Sequence, residues 1–210
     1  MKLYKFLKVT GLSVYQAASW PLPVDGAPGA WLPAVEGPLK MCVNGYHACR
    51  AGQVALWVDQ VLAEVEINGE MIGDEQKVCG RGPARITRIV EGWTPMVLRE
   101  WLVDCAEHVL PVYERAYPGE ARVRHCIEMT RRFLRGEATQ EKLTAAMAAT
   151  RAAEAAWATR AAEDAAEDAE DAARATRAAI AAAWAATDQS TELAWQSRRL
   201  LELAGETIAE

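Results

Sequence analysis

Cysteine, histidine and arginine side chains gather in one short stretch, Cys42–Arg50, around the dipeptide Asn44-Gly45. Asn-Gly is the strongest short hairpin signal, so the stretch predicts that Leu39–Val43 pairs with Tyr46–Arg50. Side chains alternate between the two faces of such a hairpin. The metal-binding types that would then share one face are Cys42, His47 and Cys49.

A Cys/His/Cys group resembles part of a zinc site, because thiolate and imidazole are the ligands that zinc prefers. A structural site needs four ligands, and the chain has no CxxC or HxxxH pair to complete the set. Small buried cysteines beside one polar histidine are the alternative interpretation. We therefore expect no metal site.

Basic residues of this hairpin and of the later loop CGRGPAR form a candidate anion site. Glycine-rich backbone amides together with arginines can hold a phosphate, and an ordinary turn is the alternative interpretation of this loop. The candidate ligand-binding residues are Lys40, His47, Arg50, Arg81 and Arg85. The chain has no GxxxxGK[ST] loop and no GxGxxG after a strand, so we assign no catalytic residue and no cofactor.

The elements that must position these residues are strands. Residues Val61–Ile67 alternate between apolar and polar side chains, which is typical of a half-buried strand. Asn68-Gly69 follows and predicts a hairpin with Glu70–Ile72 as its returning strand. Further strands are expected at Lys2–Val9 and Arg85–Val90, with a short helix over Gln53–Val58.

The remainder of the chain predicts helices. Thr94-Pro95 is typical of an N-cap followed by a first-turn proline, and Pro111 is expected to kink or end that helix. Alanine, the strongest helix former, fills 25 of the 49 residues Ala138–Ala186. A final helix is expected at Glu192–Leu203. The fold class is therefore α+β, with a mainly β domain at 1–92 and an alanine-rich helical domain at 93–210.

The negative charge is concentrated in the helical part. The chain carries a net charge of −6, and residues 137–210 hold 14 acidic against 7 basic side chains. An acidic surface repels nucleic acid, so we expect no direct nucleic-acid binding. A solvated helix face is one interpretation, and a protein-binding face is the other, formed by Glu163, Asp164, Glu167, Asp168, Glu170 and Asp171.

Hydropathy and cysteine usage favour a cytoplasmic protein. No stretch approaches the eighteen or so apolar residues of a membrane span, so no membrane association is expected. The N-terminus interrupts its apolar residues with lysines, unlike a secretory signal. The five cysteines are odd in number and scattered, which indicates reduced thiols.

Two parts of the chain resemble known families. Residues 1–92 resemble an uncharacterised domain of phage and prophage proteins through KLYKFLKVTGLS, CVNGYHACR and VEINGEMIGDEQKV. Residues 104–203 resemble the immunity-protein family 5-like domain through DCAEHVLPVYERAYPGEARVRHCIEMTRRFLRGE. The second resemblance implies binding to a toxin or effector protein.

The function expected from these observations is non-enzymatic: a phage or mobile-element protein that binds and neutralises a toxin or host-defence component. The alternative is a nucleotide-binding β domain, acting as a sponge for a signalling molecule or as an ADP-ribosyltransferase-like enzyme. The layout of GYHACR and VLAEVEINGE is similar to that enzyme fold, with Glu64 or Glu66 as the polarising carboxylate. A third interpretation is a homo-oligomer whose alanine–tryptophan helices pack between chains.

Overall fold

A computed structural model of the protein describes residues 2–13, 18–149 and 189–207. It confirms the α+β class, with strands in the first ninety residues and helices after them. The strands are β1 Leu3–Leu7, β2 Tyr46–Ala48, β3 Val61–Ile67, β4 Met71–Gly73, β5 Val78–Gly80 and β6 Ala84–Ile89, and a 3-10 helix covers Ala51–Leu56. The helices are α1 Pro95–Ala116, α2 Arg122–Leu134, α3 at 140–149 and α4 Gln189–Leu203.

The strands form two antiparallel sheets of three strands each. The first has the order β1-β3-β6, and the second has the order β2-β5-β4. Strand β3 is central in the first sheet, which agrees with its apolar alternation in the sequence. The main core lies on one face of this sheet, where Leu3 and Leu7 pack with Trp20, Val65 and Ile86.

Both predicted Asn-Gly hairpins are wrong. After Asn68-Gly69 the chain leaves the first sheet, and β4 pairs with β5 instead of returning along β3. At the other dipeptide, Asn44 donates its side-chain amide to the carbonyl oxygens of Glu36 and Pro38, at 2.8 and 3.0 Å. Asn44 therefore closes a loop on its N-terminal side, and the strand that follows, β2, pairs with β5.

Packing divides the chain into two compact units. The first, which we call the β unit, contains residues 1–98 together with 192–210, and the second, the helical unit, contains 99–191. Most of α4 thus belongs to the β unit. Leu200 and Leu201 of this helix are fully buried, and the buried Ser197 hydroxyl accepts a hydrogen bond from the Ala55 amide at 3.2 Å.

The chain after α4 is joined to the first sheet by an ion-pair network. Glu206 Oε2 lies 2.6 Å from an Arg88 guanidinium nitrogen and 3.6 Å from Lys2 Nζ, and it accepts a hydrogen bond from the Tyr4 hydroxyl at 3.3 Å. Arg88 also pairs with Glu64 at 2.8 Å. Charge and apolar burial therefore hold the same segment on the β unit.

The helical unit has its own apolar cluster, in which Met129, Leu143 and Ala146 are buried. Ion pairs connect α2 to α1: Arg131 contacts Asp104 at 2.7 Å, and Arg124 contacts Glu114 at 2.7 Å. The predicted protein-binding face at 163–171 and most of the alanine-rich stretch lie outside the described residues.

Candidate functional site

A cavity of about 310 Å³ lies in the β unit. Its walls are largely apolar and aromatic, and basic and thiol side chains are set into them. Ligand sites in proteins begin near this volume and have this mixture of walls. The lining includes Lys5, Trp20, Cys42, His47, Trp57 and Lys77.

Strand β1 brings Lys5 to the cavity. Leu3 and Leu7 lie on the core face of the sheet, and side chains two residues apart share a face, so Lys5 lies between two core residues. Its ammonium donates a hydrogen bond to the His47 carbonyl oxygen at 2.8 Å and lies 5.0 Å from the centre of the Trp20 ring. Desolvation by these walls lowers the pKa of Lys5 to about 8.

Lys77 supplies the second ammonium, just before strand β5. Its Nζ lies 4.8 Å from the centre of the Trp57 ring and 3.0 Å from Cys42 Sγ. Each of the two lysines therefore stands over an indole, an arrangement that stabilises the cation by roughly 0.5–1 kcal/mol at exposed sites and more where water is excluded. Lys77 also contributes to the lowered pKa of Lys5 through charge repulsion.

The charges of both lysines act on His47. Its Nε2 accepts a hydrogen bond from the Cys42 backbone amide at 2.9 Å, so the neutral ring carries its proton on Nδ1. Desolvation, and then the charges of Lys77 and Lys5, lower the pKa of His47. Asp74 opposes that shift, but it does not line the cavity.

The backbone at the cavity rim is held in an uncommon conformation at Cys42, whose φ is +62°. Non-glycine residues in this region carry backbone strain and persist where the surroundings fix them. Gly45 is required for a different reason. A Cβ at that position would overlap Cys79 Sγ and lie 3.0 Å from a Leu39 methyl carbon.

The structure places one of the five predicted ligand-binding residues, His47, in this cavity. Lys40 is exposed and outside the lining, and Arg50 donates to the Asp74 carbonyl oxygen at 3.3 Å. Arg81 pairs with a glutamate at 2.8 Å, and Arg85 pairs with another at 2.9 Å while stacking on an indole at 4.1 Å. Binding of a ligand by this set of five stays a prediction.

The two carboxylates considered for catalysis lie on β3, away from the cavity lining. Glu64 pairs with Arg88, and Glu66 pairs with Arg85 at 2.9 Å. Each carboxylate is thus used in a cross-strand ion pair between β3 and β6, a common stabilising arrangement in sheets.

Cys42, His47 and Cys49 all line the cavity, although the predicted hairpin does not form. The Cys49 thiol is buried and donates to the Tyr4 carbonyl oxygen at 3.2 Å. Within 2–13, 18–149 and 189–207, no group of three or more His, Cys, Asp or Glu side chains is placed to hold a metal ion.

The sequence analysis missed Lys5, Lys77 and both indoles of the cavity. A signal existed for Lys5, because a lysine between Leu3 and Leu7 in a predicted strand must lie on the apolar face. For Lys77 no local signal exists, since its neighbours at the cavity are distant in sequence.

The C-terminal part of the chain matches a known protein family. A family model described as "Imm-5 like putative immunity protein" matches residues 94–206, which is more than half of the chain. This supports the resemblance of the C-terminal part and gives no support to the phage-domain resemblance of 1–92. No curated protein and no solved structure matches the chain. In the described part, no helix is both long enough and apolar enough to cross a membrane.

Proposed function

The chain belongs to the Imm-5 like immunity-protein family, and on that premise we propose that it works by binding and neutralising a protein toxin, without catalysing a reaction itself. The observation that carries the proposal is the family match over 94–206. As a finer part of the same proposal, the chain is a phage or mobile-element protein, and its target is a toxin or a host-defence component.

Helix α1 offers a surface for such a partner. Leu102 is 53% exposed and Val109 is 37% exposed, although both are large apolar residues. Residues seven apart lie on the same face of an α-helix, so the two side chains form one exposed apolar stripe. Burial of exposed apolar area against a partner is favourable, which makes this stripe the first place to test.

The test begins with the full chain as bait in a lysate of cells that carry its neighbouring genes. A supporting result is a protein recovered in stoichiometric amount that stops growth when expressed alone and no longer does so when this chain is co-expressed. Leu102→Asp should weaken that complex about thirtyfold, corresponding to ~2 kcal/mol for an interface anchor.

The matched control is Val24→Asp, because Val24 is 67% exposed but lies in the β unit, outside the family match. It should leave the affinity unchanged. If no growth-arresting partner is captured, the proposal of toxin neutralisation is contradicted. If both variants lose the same affinity for the partner, only the assignment of the α1 stripe as the binding surface is contradicted.

A further inference from the structure

The cavity of the β unit has an electrostatic character that partner neutralisation does not use. Within the described part of the chain, its lining includes two lysines and a histidine but no aspartate or glutamate. Cationic groups in a largely apolar wall are costly when no anion accompanies them. The cavity is therefore short of negative charge.

Lys5 shows this shortage most directly. The described contacts give its ammonium one hydrogen-bond acceptor, the His47 carbonyl oxygen, and no carboxylate partner. An ammonium has three donors, so two remain for another acceptor. Lys5 also lies in the wall of the cavity and on the core face of β1, where an apolar residue would be the ordinary choice.

The second ammonium lies in the same cavity. Lys77 stands over Trp57, and its described hydrogen bond goes to Cys42 Sγ. Its charge acts on the Asp74 carboxylate, which is outside the lining, but the two form no described ion pair. His47 adds an Nδ1–H donor, because its Nε2 is already an acceptor. Three groups that favour an anion thus share one lining.

The walls indicate the rest of the ligand. Trp20 and Tyr46 meet edge to face with ring centres 5.5 Å apart, and Trp57 lines the cavity with them. Aromatic walls favour a planar apolar body. A volume of about 310 Å³ lies at the small end for ligand sites, which indicates a single compact ring system and no dinucleotide.

We propose that this cavity binds a small planar anion, an aromatic ring bearing one carboxylate or phosphate, with the anionic group at Lys5 and Lys77 and the ring against the tryptophans. The site differs from the one predicted from the sequence, with which it shares His47. It is independent of toxin neutralisation, because its residues lie before the region of the family match.

Calorimetric titration of the full chain tests the proposal with indole-3-acetate, salicylate, AMP and inorganic phosphate. We expect saturable one-to-one binding of at least one ring-bearing anion. Its neutral counterpart, indole-3-acetamide or adenosine, should bind at least tenfold more weakly, and inorganic phosphate should bind more weakly than the ring-bearing anion. Comparison of indole-3-acetate and salicylate with AMP also shows whether the cavity prefers a carboxylate or a phosphate.

Variants locate the site. Lys5→Met should reduce the affinity at least tenfold, and Lys77→Met should do the same. The control Lys142→Met removes an exposed lysine of α3 that is outside the lining and should bind like the wild type. The second lysine variant keeps the test valid if the first does not fold.

The pH dependence of the affinity is a further test, because a purely structural role of Lys5 would not make the affinity follow the charge of its ammonium. The groups that act on Lys5 are Cys49 and Lys77, and His47 lines the cavity beside it. Because burial lowers the pKa of Lys5 to about 8, affinity should fall about tenfold from pH 7 to pH 9 as its charge is lost. No binding by any ring-bearing anion, equal binding of the neutral counterparts, or wild-type affinity in both lysine variants would overturn the proposal.

Discussion

Gly92→Ala is the sharpest test of how α4 is held on the β unit. A Cβ added at Gly92 would overlap the Ala204 carbonyl oxygen and lie 2.7 Å from its carbon. Cβ atoms in proteins essentially never approach another heavy atom within 3.0 Å, and these are backbone atoms that cannot rotate away. The C-terminal end of α4 must therefore move or separate from the chain before α1.

The size of the effect follows from that displacement. Inserting a methyl group into a packed interface typically costs about 1–3 kcal/mol. The loss falls on the contacts that hold α4, which include the fully buried Leu200 and Leu201. If opening of α4 is local, that range corresponds to exchange of its amides about 5–150 times faster than in the wild type.

Hydrogen exchange followed by mass spectrometry measures this directly in peptides from Gln189–Leu203. The matched control is Gly52→Ala, where an added Cβ meets nothing within 4 Å. The same chemical change there should leave α4 protected and stabilise the β unit by about 0.4–1 kcal/mol, through the entropy of the unfolded chain.

Unchanged protection of α4 in Gly92→Ala would refute the close approach of residues 92 and 204. Faster exchange in both glycine variants would also refute it, because the loss would then come from alanine itself. Only a loss confined to Gly92→Ala agrees with the docking described above.

Two further predictions concern titratable groups. Burial opposes ionisation of Glu206, but the hydrogen bond and charge of Arg88 hold its pKa below the ordinary 4.5. The stabilisation by ionised Glu206 is thus complete above about pH 4.5 and is lost as the pH falls through the lower pKa of the folded state. Glu206→Gln should therefore reduce the free energy of unfolding by about 1.5 kcal/mol at pH 7 and weaken the fall of the urea-unfolding midpoint in acid. A midpoint that falls in acid as steeply as that of the wild type would contradict this. Burial raises the pKa of Cys49 to about 12, whereas Cys42 is exposed. N-ethylmaleimide on the native protein should therefore modify Cys42 and spare Cys49 in peptide mass spectra, and comparable labelling of both would count against the described burial.

The sequence predicted those elements whose signals are local. Strand β3 follows from the alternation of Val61–Ile67, and the start of α1 follows from Thr94-Pro95, where the Thr94 hydroxyl accepts the Val97 amide at 3.2 Å. Pro111 does not end this helix, because α1 continues to Ala116, and a kink at Pro111 stays a prediction. A local signal fixes where an element begins more securely than where it ends.

Strand pairing was mispredicted because it is decided by partners far away in the chain. At Asn68-Gly69 the chain bends, with Gly69 at φ +80°. Strand β4, however, pairs with β5, and β3 pairs with β1 and β6. At Asn44-Gly45, the Asn44 side chain closes a loop, and Gly45 allows Cys79 Sγ to pack against the backbone. The conformational preference of a dipeptide contributes much less free energy than the burial of a whole strand.

The candidate cavity could be predicted only in part for the same reason. His47 stood out because cysteines and arginines surround it in the sequence. Lys5, Lys77 and Trp57 come from three separate segments, and only the folded sheets bring them to one lining. The position of Lys5 on the apolar face could be predicted from the pattern of β1, whereas the position of Lys77 could not be predicted from its local sequence.

The division of the chain has a consequence for how its length can vary. The helical unit leaves the β unit after Leu98 and the chain re-enters it at Glu192, so both ends of the insertion are anchored in one folded body. The entropic cost of joining two anchored ends grows only with the logarithm of the intervening length, about 0.6 kcal/mol for each doubling. Flexible sequence added between the anchors would therefore cost the β unit little, whereas loss of the last nineteen residues would remove part of its own core.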